Sequence, residues 1–405
     1  MNIIKRRDFL KTAGIVTASA FTPGFLKALA KNASSLHTPG LKYDGRRVVI
    51  VQLSGGNDGL NTVIPFGEDA YYRLRPELAV PSPEILKLNL HTGFNPVMAG
   101  FRSLYDSGEI AVINSVGYPN PDRSHFRSMD IWQTGSSSNE YLSTGWIGRY
   151  LDSECPSCVN PYSAIEVDTS LALALKGQNR SGMAVKDPGK LEIGGIKDFH
   201  TELSEINPKE DNGELMFLYK TLADVTSSAS YIRSHSGVYR SGLEYPRSEF
   251  GRDLRTIAEL INSGAEASVY YVSLSGFDTH VGQKGRQERL LKELSEGLKI
   301  FADDLRSAGN YKDTLVMCFS EFGRRVAENA SKGTDHGSGN CTFIIGGGLL
   351  KAGMLNDAPD LSDLIDGDIR HTVDFRTIYS TILRNQLQAD DRQIMGNDFG
   401  DLGFC

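Results

Sequence analysis

Basic residues form no cluster beyond the first few positions of this 405-residue chain, and its formal net charge is -7. A protein that grips nucleic acid needs a cationic face for the phosphates, so this balance argues against that class of partner. Long hydrophobic runs are scarce too. The apolar stretch near the amino terminus, residues 12–26, is too short and too rich in Thr, Ser and Gly to span a bilayer well. Cysteine is sparse: five are present, an odd number, so at least one thiol stays unpaired. Cys155 and Cys158, in a Cys-Pro-Ser-Cys turn, are the one local pair. Their Pro- and Asn-rich surroundings do not suit the strand-to-helix turn of a redox motif, which leaves a structural disulfide or a free pair. No internal repeat is present. What remains is an ordinary globular composition, 40% hydrophobic and 23% charged, long enough for one large α/β domain or two smaller ones.

The amino terminus reads as an address. Lys5-Arg6-Arg7-Asp8-Phe9-Leu10-Lys11 sets paired arginines ahead of the apolar stretch, and Ala28-Leu29-Ala30 follows as a small-x-small cleavage site. The arrangement resembles a bacterial twin-arginine export signal. It predicts a signal peptide over residues 1–30, a disordered leader over 31–44 and a mature domain over 45–405. The twin-arginine export machinery is then a partner, and the destination is the periplasm or beyond, reached in folded form.

Apolar runs bounded by polar loops predict buried strands at residues 46–53, 110–114, 268–274, 315–319 and 342–345. Helical spacing predicts helices over 95–107, 124–132, 215–231, 249–262, 287–306 and 372–387. In the helix at 287–306, Leu290, Leu291, Leu294, Leu298, Phe301 and Leu305 line one face. Strands alternating with helices predict an α/β fold: a doubly wound, mostly parallel central sheet flanked by helices. Residues 135–213 mix Ser, Gly, Asn and Pro with short alternating runs and are expected as an inserted lobe of small strands.

In open α/β sheets, ligands bind beyond the carboxyl ends of the strands. Those ends carry the unusual polar residues here: Asp58, Ser124, Asp278 and His280, Glu321, and then Asp335 and His336. Carboxylates mixed with imidazoles suit zinc or manganese better than calcium, which prefers oxygen alone. Ser124 stands where a helix begins, and there the unpaired N–H groups favour an alkoxide or an incoming anion. Arg123, Arg127 and Arg324 are candidates to clamp ester oxygens. Each residue also has a plainer reading: Ser124 as a helix cap, Asp58 as a brace for a Gly-rich turn, Glu321 and Arg324 as a mutual ion pair, His336 as a loop residue. His91, His125 and His371 are possible auxiliaries, His125 above all because it neighbours the candidate nucleophile.

With these motifs assembled, the chain resembles the alkaline phosphatase–sulfatase superfamily. Within that group it is most similar to the twin-arginine-exported domain-of-unknown-function family numbered fifteen hundred and one. The motifs are Leu53-Ser54-Gly55-Gly56-Asn57-Asp58-Gly59-Leu60-Asn61, Arg123-Ser124-His125-Phe126, Phe277-Asp278-Thr279-His280, Ser320-Glu321-Phe322-Gly323-Arg324 and Thr334-Asp335-His336-Gly337. The resemblance implies Ser124 as nucleophile, with Asp278, His280 and His336 at one metal and Asp58, Ser124 and Glu321 at another. Glu321-Phe322-Gly323 stands where the superfamily has Asp-His-Gly, so one imidazole is missing. The implied activity is metal-dependent hydrolysis of a small anionic ester or of a sulfated or phosphorylated glycan. The alternative is a non-catalytic exported binding or assembly protein with an envelope partner, on a degenerate scaffold of the same kind.

Overall fold

The computed structural model describes residues 44–154, 162–191 and 228–405. The expected export signal and most of the leader, the Cys155 and Cys158 pair, and most of the helix expected at 215–231 lie outside the described residues. Among the described residues no helix is long and apolar enough to cross a membrane.

One sheet of nine strands forms the centre. Its members are β1 (Arg47–Ser54), β2 (Ile110–Gly117), β3 (Ala164–Glu166), β4 (Met183–Ala184), β5 (Val269–Ser275), β6 (Thr314–Ser320), β7 (Asn340–Gly346), β8 (Gly353–Met354) and β9 (Val373–Asp374). They lie in the order β8-β2-β7-β6-β1-β5-β3-β4, with β9 also pairing with β2. Of residues 135–213, expected as an inserted lobe, the described ones place β3 and β4 on the edge of this sheet, parallel to β5.

Side chains alternate across the sheet with a period of two, and both faces are dry. Val49, Val51 and Leu53 point to one side with Val316, Cys318 and Val272; Val48 and Ile50 point to the other with Leu315, Met317 and Tyr271. This is why the strand sequences are continuous apolar runs rather than alternating ones. The helices include α1 (Asp69–Leu74), α2 (Ala99–Asp106), α3 (His125–Thr134), α4 (Trp146–Glu154), α5 (Glu249–Asn262), α6 (Gln283–Ser307) and α7 (Phe375–Thr381). α2, α5 and α6 cover the first face; α3, α4 and α7 cover the second. α6 starts four residues before its expected first residue, 287, because Gln283 and Gln287 turn buried amides toward the β1 loop instead of leaving the helix.

The mostly parallel sheet has one exception that matters. β7 runs antiparallel to both of its neighbours, β2 and β6. Residues 321–339 contain no crossover helix, and parallel neighbours need one or an equally long connection across a face. The chain therefore returns at the rim where β6 ended, and the start of β7 joins the ends of β1, β2, β5 and β6 at a single edge. α3 is fixed over that edge by Trp132, which stacks on Phe319 of β6 at 5.0 Å and on Phe375 of α7 at 4.3 Å.

Two stability predictions follow from this architecture. Gly55 has φ +118°, and a side chain there would overlap the Asp278 amide nitrogen. Gly108 has φ +70° with nothing within 4 Å. In chemical denaturation, Gly108→Ala should cost about 1 kcal/mol, the strain of a left-handed alanine, and Gly55→Ala about 3 kcal/mol or more, since backbone must also move. Glu166, on β3 next to the edge strand β4, is pushed by burial from 4.5 up to about 7, against the Ala172 N–H that favours its charged form. The folded state thus holds the proton more tightly than the unfolded one, and stability falls as pH rises from 4.5 through 7. Glu166→Gln should remove that fall, matching the parent at pH 4 and exceeding it at about pH 8 in denaturation curves.

Candidate metal centre

The loops at the common rim are held by one guanidinium. Arg324 is fully buried, its Nε donates to the Gly56 carbonyl at 2.7 Å and one terminal nitrogen donates to the Thr334 carbonyl at 2.9 Å. The other terminal nitrogen meets the carbonyls of Gly55 and Phe277 and the Asp278 carboxylate. A single side chain thereby joins the loops after β1 and β5 to the segment entering β7. Gly56 lets this happen, because a side chain at its φ of +77° would overlap the Phe322 ring.

Three imidazoles meet within this frame, each oriented in the same sense. His125 Nδ1 lies 2.9 Å from Glu321 Oε1. His336 Nδ1 lies 2.8 Å from the Arg123 carbonyl, and His280 Nδ1 lies 3.1 Å from Asp335 Oδ1. A carbonyl and two carboxylates can only accept, so each Nδ1 carries a proton, and whenever such a ring is neutral its Nε2 is the bare atom. All three Nε2 atoms face one oxygen: Asp278 Oδ1 is 3.6 Å from His125, 3.4 Å from His336 and 3.1 Å from His280. His280 and His336 have their Nε2 atoms 2.9 Å apart. Lone pairs converging on a carboxylate require positive charge among them. A proton on His280 or His336 would satisfy that pair, yet it would leave the buried His125 Nε2, which has no hydrogen-bond partner.

Burial pushes the Asp278 carboxyl up, but the Arg324 guanidinium, with His336 and His280, overcomes that and holds it at about 2. The hydrogen bond to Glu321 raises the His125 imidazole above its ordinary value, while burial lowers that of His336. The reactive atoms of His125, Asp278 and His336 all lie within 4.8 Å of one another. Asp278 and His280 are 49% and 41% exposed, so the centre opens to solvent on one side. A donor set of imidazoles and a carboxylate, each ring steadied through its outer nitrogen, with an open face, is what a catalytic divalent metal requires.

Residues 223–402 match the model of a family described as protein of unknown function, DUF1501. No curated protein matches the sequence. Solved structures to which the chain is similar include the PsFucS1 sulfatase from Pseudoalteromonas sp., at 11% identity over 94% of this chain and 75% of that one, with a TM-score of 0.42. A protein in the alkaline phosphatase superfamily from Vibrio parahaemolyticus is 11% identical over 88% and 69%, with a TM-score of 0.39. The C-terminal periplasmic domain of EcEptC from Escherichia coli, in complex with Zn, is 9% identical over 75% and 74%, with a TM-score of 0.36. These are likenesses of shape alone.

The fold brings some of the sequence-marked residues together and separates others. Asp278, His280 and His336 converge. Glu321 and Asp335, expected as ligands, stand behind the imidazoles and hold their Nδ1 atoms. Asp58, also expected as a ligand, lies elsewhere: it and Arg75 are both 0% exposed and form an ion pair at 2.6 Å, with the Gln283 amide on the same oxygen. Each of the three arginines expected to clamp an ester has a partner within the protein, although Arg123 and Arg127 each engage it through one terminal nitrogen. Arg324 is spent on carbonyls and Asp278, Arg123 is paired with buried Asp368, and Arg127 donates to the carbonyls of Ser138 and Glu140. Ser124 is exposed at the start of α3, and its hydroxyl does not cap the helix. The residue under-read from sequence is His125. It supplies a third imidazole where Glu321-Phe322-Gly323 has none, and Phe322 packs against it and His336 at 4.9 and 4.7 Å. Its signal was its place in Arg123-Ser124-His125-Phe126. Arg75 gave none, since nothing in its surroundings shows that Asp58, far from it in the loop, is its partner.

Arg324→Lys keeps the charge but offers one nitrogen in place of a planar fork, leaving carbonyls of three loops unpaired. A stability loss on the order of 3 kcal/mol is expected in urea denaturation. A variant as stable as the parent would show that the guanidinium does not hold the rim.

Proposed function

We propose that this protein is an exported, metal-dependent hydrolase of a phosphate or sulfate ester. The observation that carries the reading is the buried, unpartnered Nε2 of His125, aimed with the bare Nε2 atoms of His280 and His336 at the Asp278 carboxylate. His125, Asp278 and His336, with His280 beside them, would hold zinc or manganese. Such an ion, when bound, neutralises anionic ester oxygens and favours the ionised form of a nearby hydroxyl.

The protein's own groups account for the rest. Ser124 directly precedes His125 at the head of a ten-residue helix, so its oxygen sits where free N–H groups and the helix dipole favour an alkoxide. Ser124 Oγ would form a bond to phosphorus or sulfur as the bond to the leaving alcohol breaks. Water would then cleave the serine ester and release phosphate or sulfate. Glu321, Asp335 and the Arg123 carbonyl keep each imidazole in the tautomer that leaves Nε2 bare. The ester's charge would be met at the metal and at the helix terminus. The paired Arg6 and Arg7 support export in folded form by the twin-arginine route.

A second reading has its own support. The three engaged arginines and the Phe322 ring against His125 and His336 fit a scaffold that binds a metal or an envelope partner without turnover.

Purified protein should contain stoichiometric zinc or manganese by elemental analysis and should hydrolyse an aryl phosphate or aryl sulfate. Ser124→Ala should abolish turnover and keep the metal, whereas His336→Ala should lose both. Metal-free protein that is inactive across an ester panel would sink the hydrolase; metal without turnover, together with a stable co-purifying protein, would favour the second reading.

A further inference from the structure

We infer that Asp368 is a positioning residue for the metal centre, fixing the carbonyl that orients His336; this rests on the metal centre of the hydrolase reading above. His336 Nδ1 lies 2.8 Å from the Arg123 carbonyl, so the aim of its Nε2 depends on where residue 123 stands. Local structure leaves that position loose. Arg123 belongs to the irregular stretch between Pro121 and α3, and among the described residues its backbone makes no hydrogen bond except the one to His336. Its side chain supplies the anchor, one terminal nitrogen donating to Asp368 Oδ2.

Burial decides which partner holds the other. The Asp368 side chain is 1% exposed, that of Arg123 39%. A carboxylate taken out of water stands unpaired if its cation leaves, whereas a half-exposed guanidinium has solvent to fall back on. Asp368 therefore draws Arg123 in.

Asp368 is itself fixed. It lies in a short hairpin, Leu364–Ile365 paired with Asp368–Ile369, whose turn residues Asp366 and Gly367 have φ of +53° and +81°. Two left-handed central residues are what a tight hairpin turn requires. The hairpin holds both sides of the His336 bond. The Ile369 carbonyl accepts the Ser338 hydroxyl at 2.9 Å, two residues beyond the ring, while Asp368 holds the residue whose carbonyl the ring meets. Ring and carbonyl are thus referred to one small frame. The hairpin also braces a second support. Arg325 donates to the Asp366 carbonyl at 2.7 Å, with its Nε 3.8 Å from Asp368 Oδ1. Its backbone N–H meets the carbonyl of Asp335, whose carboxylate holds His280. Asp368 makes no hydrogen bond to any of the three rings, so its effect on His336 passes through Arg123.

The test titrates metal-free protein with zinc against a chromophoric chelator and reads the imidazole nitrogens by NMR of labelled protein. The NMR is run at about pH 8, where an unperturbed ring is neutral. Asp368→Asn should weaken zinc binding about tenfold or more and turn His336 from its Nδ1–H form into a mixture of tautomers. Arg123→Gln should do the same. Because the carboxylate acts through the guanidinium, the double variant should lose no more affinity than either single one. A merely structural role would lower the denaturation midpoint and leave affinity and tautomer alone. Arg123 lies partly in solvent, so Arg123→Gln carries the test if Asp368→Asn does not fold. Affinity and tautomer both at the parent value in a folded variant, or losses that multiply in the double variant, would overturn the inference. A parent that takes up no zinc removes the hydrolase reading, and the tautomer of His336 then decides the inference alone.

Discussion

The rim of the sheet exists in its present form because a buried guanidinium has to be satisfied. Arg324 carries a permanent charge in a place with no access to water, and burying an unpaired charge is prohibitive. Its donors are met by carbonyls of the loops after β1 and β5 and of the segment entering β7, with Asp278 completing the set. Those loops cannot drift apart without stranding the charge. Asp278 is therefore ionised and immobile before any ligand arrives, and the imidazoles are arranged around a fixed point.

The second constraint is the direction of β7. A crossover helix after β6 would have carried the chain to the opposite edge and taken His336 with it. The short return keeps Glu321 and His336 on one side of the sheet, and α3, stacked on β6 and α7 through Trp132, brings His125 down from the second face. Three elements distant in sequence each deliver one ring. Each ring is oriented by a group from yet another element, so tautomer and position are set together.

Much of this was legible in the residues. β1, β5 and β6 appear as continuous apolar runs because both faces of the sheet are covered, and their ends are marked by glycines and short polar residues. The placement of Asp278, His280 and His336 at one edge follows from those strand ends alone. What could not be read is pairing across space. Sequence shows that Arg123, Arg127 and Arg324 are cations near the site, but not that backbone carbonyls and Asp368 already occupy them. It shows an acid at Asp58, but not that Arg75 lies within 2.6 Å of it in a dry interior. His125 stood beside the candidate nucleophile, and only the fold of α3 over the rim turns it inward. The early start of α6 was missed for a related reason: Gln283 and Gln287 are polar and buried, and an apolar stripe cannot register them.

The partners of Arg324 are mostly main-chain oxygens, and every amino acid has one. Phe277 and Thr334 could be exchanged for many other types, and the carbonyls they present would remain where they are. The arrangement thus places its stringency on the arginine and on the two glycines that let it in, and leaves the residues it grips nearly anonymous. The rim can hold one shape while much of its lettering changes.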